Sequence, residues 1–305
     1  MPSVKTTLLV LLAIVAAGFI AFLLRHAKVA SGRGNRVRPT AYELLTGFVT
    51  DFLDTLGIGS FATTTAMYRA RRAVADELIP GTLNVGHTLP TIVQAFLYID
   101  VVKVEPGTLI AMIVAAVAGS LIGAPIVSRL PRRHVQIGLG WALLVLCTVL
   151  VVRQFGDPEG GQALGLEGST FAVGIAANFV LGALMTIGVG LYAPCLLLVS
   201  LLGMNPKTGF PIMMGSCAFL MPLASATFVR RGRYAPGAAL GLTLAGVPAV
   251  FIAAYLVTDL DLTVVKWLVA VVVVYTAVTL LRAARVERTA SAAATAAATP
   301  PPPRS

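Results

Sequence analysis

Apolar runs of spanning length recur along this chain, at about 7–24, 78–100, 107–130, 134–153, 208–230, 237–257 and 263–283. Each is close to the ~20 residues that a helix needs to cross the hydrocarbon core of a bilayer. Lipid offers no partners for backbone N–H and C=O groups, so such runs must fold as helices that satisfy their own backbone. Charged residues make up 12% of the chain and mean hydropathy is +0.87, whereas roughly one quarter of a soluble domain is charged. No polar stretch is long enough to fold by itself. The expected fold is an all-α polytopic membrane protein lying almost wholly in the bilayer.

Two further apolar segments, 42–69 and 171–202, are interrupted by glycine, and they correspond to each other. Aligning FVTDFLDTLGIGSFAT from Phe48 with FVLGALMTIGVGLYAP from Phe179 matches Thr55 with Thr186, Gly57 with Gly188 and Gly59 with Gly190. The same offset pairs Pro80 with Pro211, and PGTLIAM at Pro106 faces PGAALGL at Pro236 within one residue. The chain therefore reads as a duplication behind a first helix. The expected parts are a helix with a basic loop (1–40), repeat 1 (41–153), a linker rich in glycine and acid (154–170), repeat 2 (171–283) and a low-complexity tail expected to be disordered (284–305).

Net charge is +10, yet no basic face interleaved with aromatics appears, which counts against nucleic acid as a partner. The cations flank the apolar runs instead, at Arg25 and Lys28, Arg33–Arg38, Arg69–Arg72, Arg129–Arg133, Arg230–Arg233 and Arg282–Arg288. Placing all of them in the cytoplasm, with the linker, Asp259 and Asp261 outside, obeys the positive-inside rule. It also requires 42–69 to enter and leave by one face, either as a re-entrant segment or as a discontinuous pair of crossings. Each repeat then holds one glycine-broken segment and three ordinary spans. An odd number of crossings inverts the second repeat relative to the first.

Irregular backbone at membrane depth is tolerated where it lines a cavity or is buried in protein. The breaks at Gly57–Gly59 and Gly188–Gly190 each precede a short apolar helix, the second with Pro194 at its start. A helix that begins at the midplane aims free N–H groups and partial positive charge into the cavity, which favours an anion. Candidate site residues are Gly57, Gly59, Ser60, Thr63 and Thr64 at the first end, and Gly188, Gly190, Tyr192, Pro194 and Cys195 at the second. Both glycine breaks are expected to use positive φ, which a β-branched residue resists. Asn84, His87, Thr91 and Gln94 recur at helical spacing, as on a helix lining a cavity or in a packed hydrogen-bonded seam. Asp51 and Asp54 share one helical face, and ionisable residues at membrane depth usually serve ions or protons. They are the candidates for proton coupling; the opposing reading makes them a surface pair or partners of Arg69–Arg72. Cys147, Cys195 and Cys217 lack disulfide or metal spacing. The phosphate-binding pattern GxxxxGK[ST] is absent from the sequence. Neither metal nor cofactor is expected.

With TLGIGSFATTT, TIGVGLYAP and NPKTGFPIMMGSCAFLMP in view, the sequence resembles the sulfite exporter TauE/SafE family of permeases, over residues 41–283. The resemblance implies a multi-pass protein of the bacterial inner membrane that moves small sulfur-containing anions such as sulfite, thiosulfate or organosulfonates. It implies coupling to an ion gradient of H+ or Na+, and it places Gly57, Gly59, Gly188 and Gly190 in the family's motifs, with Pro194 and Pro211 beside them. Thr63 stands where the second motif has Pro194, so the two half-sites are expected to be unequal. The partners expected are the lipid bilayer, a small anion and the coupling ion. The reading is a secondary transporter rather than an enzyme. The alternatives are a passive anion channel and an intramembrane hydrolase using Ser60 with His87.

Overall fold

A computed structural model describes residues 4–32, 36–123, 126, 129–156, 161–186 and 190–298. Its helices are α1 (Val4–Gly32), α2 (Ala41–Thr55), α3 (Ser60–Ala70), α4 (Ile79–Val101), α5 (Pro106–Ala118), α6 (Arg132–Gly156), α7 (Gly168–Met185), α8 (Tyr192–Leu201), α9 (Gly209–Arg231), α10 (Pro236–Thr258) and α11 (Leu262–Ala298). No β-strand is formed among the described residues. The protein is an all-α polytopic membrane protein.

Among the described residues, seven helical stretches are long and apolar enough to cross a membrane: Val4–His26, Pro106–Gly123, Arg133–Gly156, Gly168–Met185, Pro206–Arg231, Pro236–Val257 and Leu262–Val286. This set differs from the sequence reading at two places. The run at 78–100 forms the long helix α4 but carries too many polar side chains to qualify, because one of its faces is buried against protein. Conversely, α7, the first arm of the second broken segment, is 18 residues long and qualifies. The tail is a further difference. Expected disorder from 284 onward gives way to helix as far as Ala298, since an alanine-rich stretch has the highest intrinsic helix propensity. Residues 299–305 lie outside those described.

Prolines and side-chain caps set the helix starts. Thr40 and Glu43 form a reciprocal capping box at α2, with Thr40 N donating to Glu43 Oε2 at 2.7 Å. Glu43 also pairs with Arg36. Pro106 and Pro236 begin α5 and α10 at the position where the missing N–H costs least.

Cross-chain bonds fix the two ends of the bundle. At one end Gly237 N donates to Arg36 O at 3.0 Å and Ala235 N to Thr82 Oγ1 at 2.9 Å. At the other, Lys5 pairs with Asp100 at 2.7 Å and Glu105 N donates to Leu164 O at 2.8 Å. Following the helices from these anchors gathers Arg36, Arg38, Arg69, Arg71, Arg129, Arg230, Arg282 and Arg285 at the first end. Asp100, Glu105, Glu167, Asp259 and Asp261 gather at the opposite end.

Both broken segments are hairpins. Tyr42, at the start of α2, donates its hydroxyl to Met67 O near the end of α3 at 2.6 Å, and Arg71 lies 4.8 Å over the Tyr42 ring. Ala163, before α7, pairs with Met204, after α8, and Asn205 N donates to Ala163 O at 2.8 Å. The first hairpin thus opens at the arginine-rich end and the second at the other. α2 lies on α10 and α5 on α7, while α4 packs on α9 and α6 on α11. Gly47 and Asn178, which the sequence alignment pairs, each lie against a facing helix, though in different ways. A Cβ on Gly47 would stand 2.6 Å from Leu242 Cα, and at the alignment's own offset Asn178 Nδ2 donates to Met112 O at 2.7 Å.

Candidate functional site at the hairpin tips

The returning arms α3 and α8 are 11 and 10 residues long, about 16 and 15 Å at ~1.5 Å per residue. Each spans about half of a ~30 Å hydrocarbon core, so from opposite ends their N-termini meet near its middle. There they border a cavity of about 60 Å³ lined by Asp54, Gly59 and Ser60 of the first hairpin, Gly190 and Tyr192 of the second, and Thr91 of α4. Cys217 of α9 completes the wall.

The first helix end is occupied by the chain itself. Asp54 Oδ1 accepts from Ser60 N at 2.5 Å, so a buried carboxylate caps α3 where the sequence reading expects an external anion. Its other oxygen accepts from Gln94 Nε2 at 3.0 Å; Gln94 Nε2 also donates to Thr55 Oγ1 at 2.9 Å, and Gln94 Oε1 accepts from Tyr192 at 3.2 Å. That last bond ties the two hairpins together through α4. The second helix end has no such cap among the described residues: Leu191 supplies no side-chain acceptor to α8. The two helix ends differ through Asp54, whose aligned residue in the second segment is Met185, and not through Thr63 and Pro194, on which the sequence expectation rests.

Asp51 lies one turn earlier on α2 and is wholly buried. His87 Nδ1 stands 2.8 Å from Asp51 Oδ1, and His87 Nε2 stands 3.0 Å from Thr64 Oγ1. The second carboxylate oxygen of Asp51 has no hydrogen-bond partner among the described residues. It fits beside α10 only because residue 246 is glycine; a Cβ there would be 2.0 Å from it. Neither acid is a surface group or a partner of Arg69–Arg72, and Arg69 pairs with Asp76 at 3.0 Å. Pro90, in the middle of α4, cannot donate to Gly86 O, and Thr243 of α10 does so at 2.7 Å.

Other sequence candidates separate. Gly57 and Gly59 have φ of +93° and +86°, as expected, but Gly190 does not adopt positive φ. Gly188 lies outside the described residues. Thr63 bonds back to Ser60 O at 2.8 Å, and Asn84 to Pro80 O at 2.9 Å, so each satisfies its own helix; neither lines the cavity. Pro194 sits in the first turn of α8 and Cys195 is fully buried behind it. Ser60 is at the tip but has no bond to His87, which is taken by Thr64. Sequence reasoning missed Gly246 and Thr243 of α10, which contact α2 and α4 from across the fold, and Tyr98 of α4, which donates to Thr55 O of α2 at 3.0 Å.

No known protein family, curated protein or solved structure matches the chain.

Proposed function

We propose that the protein is a proton-coupled secondary transporter of small sulfur-containing anions in the bacterial inner membrane, a permease of the TauE/SafE kind and not an enzyme. The two halves act as inverted repeats around the tip cavity. The sulfur chemistry of the substrate rests on the motif resemblance. Anion transport with proton coupling rests on one observation, the Asp54 carboxylate seated on the N-terminus of α3.

That seat is a competition site. An ionised Asp54 and an incoming anion cannot share one helix end, because two negative charges at hydrogen-bond distance repel strongly in a low dielectric. Protonation of Asp54 weakens its claim on the Ser60 N–H and admits the anion. Proton and anion are then bound together and released together. His87, held between Asp51 and Thr64, supplies a second proton-accepting group nearby. A cavity of about 60 Å³ holds about two waters at ~30 Å³ each, which suits a small ion.

The hydrogen-bond order Asp51–His87–Thr64 also matches an orienter–base–nucleophile arrangement, and this favours a hydrolase as the second reading. Thr64, however, is fully buried and does not line the cavity. Flux into proteoliposomes tests the first reading. Sulfite, thiosulfate or sulfoacetate is expected to accumulate when a proton gradient is imposed, and Ser60→Ala is expected to keep most of that flux. Absence of gradient-driven accumulation for every anion, with sodium in place of protons as well, would sink it.

A further inference from the structure

A second cavity, of about 280 Å³, opens at the end of the bundle opposite the arginine clusters, the end where Arg153 donates to Leu201 O. Its lining includes Lys103 after α4 and Lys207 before α9, with Asn205 and Thr208 flanking Lys207 and the buried rings of Tyr98 and Phe210 as its floor. Among the described residues no carboxylate lines it. By the positive-inside rule cations belong at the other end, and Lys5, also at this end, is paired with Asp100. Lys103 makes no ion pair among the described residues. Orientation therefore does not account for Lys103 at this opening.

The floor leads to the tip cavity. Tyr98 and Phe210 are buried and stacked, with ring centroids 5.0 Å apart. Under them lies the turn of the first hairpin: Tyr98 donates to Thr55 O at 3.0 Å, and Phe210 Cε1 is 3.8 Å from where a Cβ on Gly57 would be. Asp54 and Ile58, on either side of that turn, line the tip cavity. One layer of aromatic ring and one turn of backbone separate the two spaces. The opening lies between the end of α4 and the start of α9, with Leu164 and Val257 also on its wall.

We infer that this opening is an anion antechamber, in which Lys103 and Lys207 concentrate the small anion on its way to or from the tip cavity. The inference rests on the transporter reading above and adds the route and its selectivity. Clefts lined by one sign of charge raise local counter-ion concentration and association rates by about 10- to 1,000-fold, and salt removes the effect. Lys103→Gln with Lys207→Gln is therefore expected to raise the KM for sulfite flux about tenfold at low ionic strength, with kcat held within about twofold, and the difference is expected to shrink in high salt.

A second measurement covers a double variant that fails to fold. Lys103→Cys is treated with a sulfonatoethyl or a trimethylammonioethyl methanethiosulfonate, on a protein whose native cysteines are all buried. The cationic reagent is expected to restore the wild-type KM and the anionic one to raise it further. Equal effects of the two reagents, or a KM unmoved by the double substitution at low salt, overturn the antechamber while leaving the transporter reading intact. A wild-type protein that moves no anion overturns both.

Discussion

Asp54 and Gln94 can exchange chemistries, and that exchange tests whether their bond organises the site. In Asp54→Asn the Oδ1 atom still accepts from Ser60 N, but the new amide faces the Gln94 amide across the 3.0 Å now spanned by a charged hydrogen bond. Rotating Gln94 does not repair this, because its oxygen accepts from Tyr192 and its nitrogen donates to Thr55 Oγ1. The loss is one buried bond to a charged group, about 1.5–3 kcal/mol. Gln94→Glu alone sets two carboxyls face to face, with a loss of about the same size. In the double variant the amide introduced at position 54 donates to one oxygen of the carboxylate introduced at position 94, and Tyr192 donates to the other. At least about 1.5 kcal/mol of the summed losses should return, as coupling between contacting residues does. Equilibrium unfolding of the four proteins in mixed micelles measures the cycle. Losses that add within about 0.5 kcal/mol would refute the reasoning. The double variant is also expected to have lost gradient-driven accumulation despite its recovered stability, because its carboxyl no longer sits on the end of α3.

Two pairs of glycine substitutions test the backbone around the site. Gly246→Ala places a methyl 2.0 Å from Asp51 Oδ2 and 2.9 Å from Pro90 Cγ; a loss of about 1–3 kcal/mol is expected, whereas Gly138→Ala, with nothing within 4 Å, should be neutral or stabilising, and like melting shifts for both would contradict the packing of Asp51. Gly59→Ala is expected to cost about 1–2 kcal/mol from its φ of +86° alone, while Gly190→Ala, with open space and no positive φ, should stay within about 0.5 kcal/mol; equal losses would show that the two breaks share one backbone geometry after all.

The helices and the hairpins are legible in the sequence because lipid enforces them. Run length gives the spans, and the paired GIG and GVG breaks mark the tips. His87, Thr91 and Gln94 are legible as one buried face of α4, since side chains three and four apart share a side. Asn84 misleads because a short amide can satisfy itself on the previous turn, and spacing does not reveal this. The Asp51–His87 contact joins residues 36 apart on different helices, which no local pattern specifies. Asp54 as the cap of Ser60 lies six residues away and depends on the positive φ of both Gly57 and Gly59. In the tail, low complexity suggests disorder, but alanine composition decides for helix.

On the inverted-repeat reading proposed above, the divergence of the two halves has an energetic consequence. When two like halves of a bundle exchange conformations, the result is the mirror arrangement of the same contacts, and identical halves would make the two arrangements equal in energy. Here the ionisable trio sits in one half only: the counterparts of Asp51, Asp54 and His87 are Gly182, Met185 and Ala218. Swapping the halves' roles moves three titratable groups into a different environment and moves nothing back in exchange. For the transporter proposed above, that divergence breaks the degeneracy and would give the molecule a preferred resting direction even with no gradient and no cargo.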